Sequence, residues 1–457
     1  MLNNIGLQTQ NINTQPAQIQ PKQAVQTNPI ALNNDAPKQL STQFNNYVPQ
    51  VRTKLTPEEE IKFLEVAQAI ESSTIQELNK SQMDIPQSKK LLALLMSGKL
   101  LNSKSNDNST MLDNLHKILT EPRFDGISGV KIANQVLDAV YNPTIITQKF
   151  GDIPNDVRQA LVDNSQIYYA LGTDLGTIDV NLGGSGTCAA TSLEFTMANK
   201  MPAEFTRWVA GLTSPEMKVV QKLDYKALSK DKTQADMFMN HYKLKPLQDM
   251  NGTYLLELKP DKNAVLRALI QDKYYDEGER TTLDVLMQST IMTLGTGEGY
   301  NSLNDIRTRQ FVDENGQQTS MDDQGLWADE KTFIESVITN KEKTSLVYQQ
   351  IDDNGQLVGR KCDTARVKSH IENALKLGED IVVGYTDFAQ DGTFFGHEIT
   401  IVGIEKAPDG KEYFICNDTD DEENKLIKYE VNEYLPKIHH ATYPAELVEG
   451  DSDLFSS

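Results

Sequence analysis

Two residues in this sequence have the surroundings that nucleophilic chemistry requires: a cysteine at the mouth of a helix, and a histidine far downstream at the head of a strand. Gly183, Gly184 and Gly186 permit a tight bend just before Cys188. Thr187 is the expected N-cap, and Ala189, Ala190, Leu193 and Met197 recur at helical spacing. The pattern predicts a helix whose first turn holds Cys188. Unpaired amides and the positive end of the helix dipole favour a thiolate there, the nucleophilic form of the residue. A free cysteine is also common as a small buried apolar side chain. Cys188 therefore gains a role only if a base can reach it.

The stretch from 366 to 418 supplies one. Val367, Ile371, Ala374 and Leu375 share a helical face and Gly378 ends the helix, which leaves Ile381–Tyr385 as a buried strand. His397 then leads the run Glu398-Ile399-Thr400-Ile401-Val402-Gly403. A turn at Pro408-Asp409-Gly410 returns the chain through Tyr413-Phe414-Ile415-Cys416 to Asn417-Asp418. A histidine at the start of one strand and an acidic or amide side chain at the end of its hairpin partner can meet side by side, which is how an imidazole is oriented. Alternation puts Asn417 and Asp418 on opposite faces, so only one of them can do this. Asp418 is the preferred candidate, because a carboxylate stabilises an imidazolium better than an amide does. Among the other histidines, His116 and His370 fall in helical patterns, and His439-His440 follow Pro436 in an expected loop as reserve candidates for the base.

These two stretches resemble the papain-like cysteine peptidases. Gly186-Thr187-Cys188-Ala189-Ala190-Thr191-Ser192 is similar to the family's Gly-Ser-Cys-Trp-Ala-Phe-Ser segment, and Gly396–Gly403 is similar to its His-led strand ending in Val-Gly. The ending Asn417-Asp418 is nearer the bacterial branch that includes bacteriocin leader peptidases, where an Asp stands third in the triad. The resemblance implies an α+β papain-like fold, a nucleophile helix packed on an antiparallel sheet. It also implies peptide hydrolysis through a Cys188 thioester, with His397 as general base and Asp418 or Asn417 as its orienting partner. The oxyanion would be held by the Cys188 amide and a second donor. Leu182 stands where the family carries a glutamine, so Asn181 is the substitute candidate, and Ala189 replaces the usual Trp. The same triad would serve a related acyl transfer, as in a transglutaminase or deamidase, and the two replaced residues would also suit an inactive papain-like module that binds protein. His397 follows Cys188 at a greater distance than the family's roughly 130–150 residues, which implies an insertion at about 212–365.

Composition narrows the partners. A net charge of -21, spread along the chain, argues against nucleic acid and anionic membranes and leaves a peptide or protein substrate. The three cysteines, Cys188, Cys362 and Cys416, form no Cys-x-x-Cys pair and have no zinc-like histidine spacing, so neither a metal nor a cofactor is expected. No leader-like segment opens the sequence, and no apolar run approaches 18 residues, so the expected location is cytoplasmic, or exported without a cleaved signal peptide.

Along the chain, residues 1–51 read as a disordered arm, since the first 50 include 19 Asn or Gln and only three charged residues. Residues 52–160 read as a helical domain that opens with a capping box at Thr56-Pro57-Glu58-Glu59 and continues with helices at 88–101, 110–120 and 129–141. This unit occupies the place of the family's inhibitory prosegment, with a structural subdomain as the favoured alternative. Residues 161–457 form the expected peptidase domain. Within its insertion, the Asn-Gly turns at 315–316 and 354–355 predict two hairpins.

Overall fold

The computed structural model describes residues 54–72, 85–149, 186–244, 247–248, 252–274, 278–297, 299–312, 317–323, 325–351, 357–388, 394–420 and 424–455. The expected arm at 1–51 lies outside them. The architecture is α+β, and every strand pair among these residues is antiparallel.

Four helices come first: α1 (Pro57–Glu71), α2 (Gln87–Met96), α3 (Met111–Thr120) and α4 (Gly129–Tyr141). In α1, Thr56 and Glu59 satisfy each other's backbone amides as the sequence predicts, and Phe63, Val66, Ala67 and Ile70 turn inward. Helix α2 is shorter than the predicted 88–101, because the chain turns at Gly98, whose φ of 82° is left-handed.

Helix α5 (Cys188–Lys200) follows, buried on nearly all sides, and then α6 (Pro202–Leu212). The next segment carries a small sheet of β1 (Val219–Asp224), β2 (Leu247–Gln248) and β3 (Thr253–Leu258), with α7 (Lys232–His241) between its first two strands. Helices α8 (Ala264–Tyr274) and α9 (Thr282–Thr296) lead into β4 (Tyr300–Asn301), β5 (Ile306–Val312) and β6 (Gln318–Asp323), of which the last two form the first predicted hairpin. After α10 (Ala328–Thr339) come β7 (Lys343–Val347), the second hairpin of β8 (Gln349–Ile351) and β9 (Leu357–Arg360), and α11 (Thr364–Lys376). The last part contains β10 (Ile381–Phe388), β11 (Phe394–Lys406), β12 (Glu412–Asn417), β13 (Ile427–Glu430), a short α12 (Val431–Tyr434) and β14 (Ile438–Pro444).

One six-stranded sheet, ordered β13-β12-β11-β10-β14-β7, receives α5 on β11 and β10, while α11 packs on the same two strands. Small residues let α5 approach closely. Thr400 on β11 donates to the Ser192 carbonyl, and Ser192 donates to the Glu398 carbonyl, both at 3.4 Å. At the far end, Asn199 and Lys200 bind Asp380 at 2.8 and 3.1 Å. These bonds fix how far α5 slides along the sheet and so where Cys188 lies. Helices α1–α4 share one continuous apolar core with α5, α6, α9 and α10. The face of the sheet toward α11 has its own cluster around Ile371, Ile399, Ile401 and Phe414.

Candidate active site

Cys188 begins α5 and is half-buried. Thr187 occupies the N-cap position as expected, but its side chain makes no capping bond. Its hydroxyl instead donates to Gln288 Oε1 at 3.2 Å and accepts from Arg280, so it leaves the first-turn amides of α5 uncapped. Gly186 is held by its amide, which donates to Asp305 Oδ2 at 2.9 Å. Asn181, Gly183 and Gly184 lie outside the described residues.

His397 does not open its strand. Phe394 and Phe395 already pair with Phe388 and Asp387, so the imidazole sits three residues inside β11. Its Nε2 is 2.7 Å from Asp418 Oδ1, and the Cys188 side chain is close enough to the ring to favour its charged form. Burial works against a charged imidazole here, but Asp418 and Cys188 outweigh it and push the pKa of His397 up to about 10. Asp418 is affected in the opposite direction: burial opposes its ionisation, yet the bond from His397 and others hold its carboxyl below the usual range.

Strand register decides between the two candidate partners. Asn417 stands directly opposite Thr400, and opposed residues share a face, so its side chain projects with Thr400 toward α5. His397 has the other parity and shares its face with Asp418. Asn417 Nδ2 is buried without a partner. Asp418 also accepts from the Asp420 amide at 3.1 Å and, on Oδ2, from the Tyr429 hydroxyl at 2.9 Å. Both carboxylate oxygens are thus restrained.

An aromatic wall covers the couple. Tyr385 meets the His397 ring edge-on with centroids 5.6 Å apart, and Tyr434 stacks on Tyr429 at 4.7 Å. Such a wall limits water and strengthens the bond between His397 and Asp418. These tyrosines, and Arg280 and Asp305 behind the turn, were not selected from the sequence. Their only local signal is the alternation of strand side chains at Tyr385 and Tyr429.

The reserve histidines are placed differently from the sequence expectation. His439 and His440 lie on β14, not in a loop. His440 Nε2 pairs with Glu398 Oε1 at 3.1 Å, and Lys331 binds the other oxygen of Glu398 at 2.8 Å. Glu398 has the opposite parity to His397, so this buried trio is committed to joining α10 to the sheet. His116 bonds Glu65 at 2.6 Å, and His370 faces Tyr348 at 3.1 Å.

Among the described residues, no group of three or more His, Cys, Asp or Glu side chains is placed to hold a metal ion, and no helix is long and apolar enough to cross a membrane. No known family model matches the chain, and no curated protein does so significantly.

Proposed function

We propose that this protein is a papain-like cysteine peptidase. The observation that carries the reading is the meeting of His397 with Asp418 at 2.7 Å on one side and with the Cys188 sulfur at a helix N-terminus on the other. The packing of α5 on an antiparallel sheet that carries the base agrees with the papain-like arrangement.

In this reading the Cys188 thiolate attacks a peptide carbonyl and forms a tetrahedral oxyanion, which the uncapped first-turn amides of α5 stabilise. The imidazolium of His397 then donates its proton to the leaving amine as the C–N bond breaks, which leaves a thioester on Cys188. Water, deprotonated by His397, attacks that thioester and releases the acid. Asp418 holds the imidazole in place through both halves.

The test is labelling of the intact chain with an electrophilic peptide probe, followed by peptide mapping. The expected adduct is on Cys188, absent in Cys188→Ala and lost on prior heat denaturation. Modification spread evenly over Cys188 and Cys362 would overturn the reading. Mass analysis of a turned-over peptide tells hydrolysis from transfer to an added amine.

A further inference from the structure

We infer that Arg280, gripped by Asp305, is a positioning residue for the nucleophile, holding the turn before Cys188 in register with the His397–Asp418 couple. This rests on the cysteine-nucleophile reading above, and it makes the long segment between α6 and α11 part of the catalytic apparatus.

The fully buried Arg280 guanidinium faces Asp305 as a fork, with Nη1 and Nη2 at 3.3 and 3.1 Å from Oδ1 and Oδ2. Each half of the pair then holds one residue of the turn. Asp305 Oδ2 accepts from the Gly186 amide, and Arg280 Nη2 donates to the Thr187 hydroxyl. The two residues immediately before Cys188 are therefore fixed by one ion pair, whose arginine lies 93 residues from Thr187 in the chain.

The same arginine reaches the other half of the site. Its Nε donates to the Gln148 carbonyl at 2.9 Å, and its amide to the Lys149 carbonyl at 2.8 Å. Gln148 in turn donates its amide to the Thr419 carbonyl at 3.1 Å and accepts from the Thr419 hydroxyl at 3.2 Å. Thr419 adjoins Asp418. An unbroken run of hydrogen bonds thus leads from Gly186 through Arg280 and Gln148 to the residue beside the carboxylate that orients His397.

Asp305 is held in an unusual conformation to do this. Its φ of 57° is left-handed, a region non-glycine residues seldom adopt and keep only where their surroundings over-determine them. Here the surroundings are Arg280, the Gly186 amide and the Tyr300 hydroxyl, which all donate to its carboxylate. Buried ion pairs add little to stability as a rule, and apolar replacements often serve as well. Bonds that converge on the residues flanking a nucleophile and its base are better explained by geometry, since catalysis is sensitive to displacements of about 1 Å.

The test measures iodoacetamide alkylation of Cys188 by peptide mapping, with Cys362 in the same chain as the reference thiol. Arg280→Met with Asp305→Asn removes both charges together, and asparagine tolerates the left-handed backbone. In this variant the ratio of Cys188 to Cys362 alkylation should fall about tenfold or more, with a displaced pH profile for Cys188 and a folded circular dichroism spectrum. A folded double variant with the wild-type ratio and profile overturns the inference. If the double variant does not fold, Thr187→Val, which deletes only the hydroxyl with its bonds to Arg280 and Gln288, decides by the same criterion with an expected loss of a few-fold. A wild-type chain in which Cys188 reacts no faster than Cys362 instead overturns the nucleophile reading, and the positioning role with it. Loss confined to the variants therefore separates the two.

Discussion

His397 and Asp418 are joined by a 2.7 Å bond that starts from one face of two neighbouring strands, and Asn417, one residue away, is on the other face. Replacing Asp418 with Ala should lower turnover by about two orders of magnitude or more while the circular dichroism spectrum is unchanged. Asn417→Ala should be mild, because its amide nitrogen has no hydrogen bond to lose. The reverse ranking with one peptide substrate would transfer the orienting role to Asn417.

The same couple sets a pH dependence. The pKa of His397 is raised from 6.5 to about 10, so the stabilisation from its charged form is fully present below pH 6.5 and lost as the pH rises through about 10. The pKa of Asp418 is depressed from 3.8, so its contribution is present above that value and lost as the pH falls through the lower folded value. Between these limits the charged couple is intact. Asp418→Asn should move the alkaline limb of peptide turnover, in which the His397 imidazolium is the acid, to lower pH, measured as rate against pH. An unmoved limb would mean that Asp418 does not govern the proton on His397.

Tyr429 restrains the second carboxylate oxygen. Tyr429→Phe removes one hydrogen bond to a charged group, worth about 1.5–3 kcal/mol at such sites, and leaves the ring stacked on Tyr434. Turnover should drop several-fold with substrate affinity unchanged. A change in affinity alone would move Tyr429 from orienting the triad to contacting substrate.

Much of this arrangement is legible in the sequence where the signal is local. The capping box at Thr56, the helix that starts at Cys188 and the β11–β12 hairpin follow from residues a few positions apart. The sequence could not give the register of that hairpin, because a bulge between Ile401 and Gly403 intervenes. Pro436 made His439 and His440 look like loop residues. Their strand exists because β10 and β7 flank it, and those partners are distant in sequence. The Arg280–Asp305 pair was illegible for the same reason: nothing near either residue indicates what they hold.

Gly384 on β10 shows how tightly the buried trio is packed. A Cβ there would lie 2.1 Å from the His440 ring, a contact that the ring, held by Glu398, can relieve only by moving. Gly384→Ala should therefore destabilise the fold by about 1–3 kcal/mol, read as a lower denaturant midpoint at constant slope. An unchanged midpoint would show that His440 is free to rotate away.

The helical unit at 57–149 raises the last question, whether it can be removed as a prosegment. Its helices share a core with α5, α6, α9 and α10, so removal would expose the apolar surfaces that Leu115, Ile118, Ile132 and Val136 cover. Its final residues also carry polar bonds into the site: Gln148 and Lys149 to Arg280, and Thr147 to Gln288 and Thr419. Losing these carbonyls would cost Arg280 the acceptors of its Nε and its amide, and Gln288 one of the two acceptors of its Nε2, at about 1–3 kcal/mol for each bond. A chain lacking residues 54–149 should accordingly fail to give a cooperative thermal transition, and Cys188 and Cys362 should alkylate at similar rates within it. A folded truncated chain with faster alkylation of Cys188 than the full chain would reverse this and establish the unit as an inhibitory prosegment.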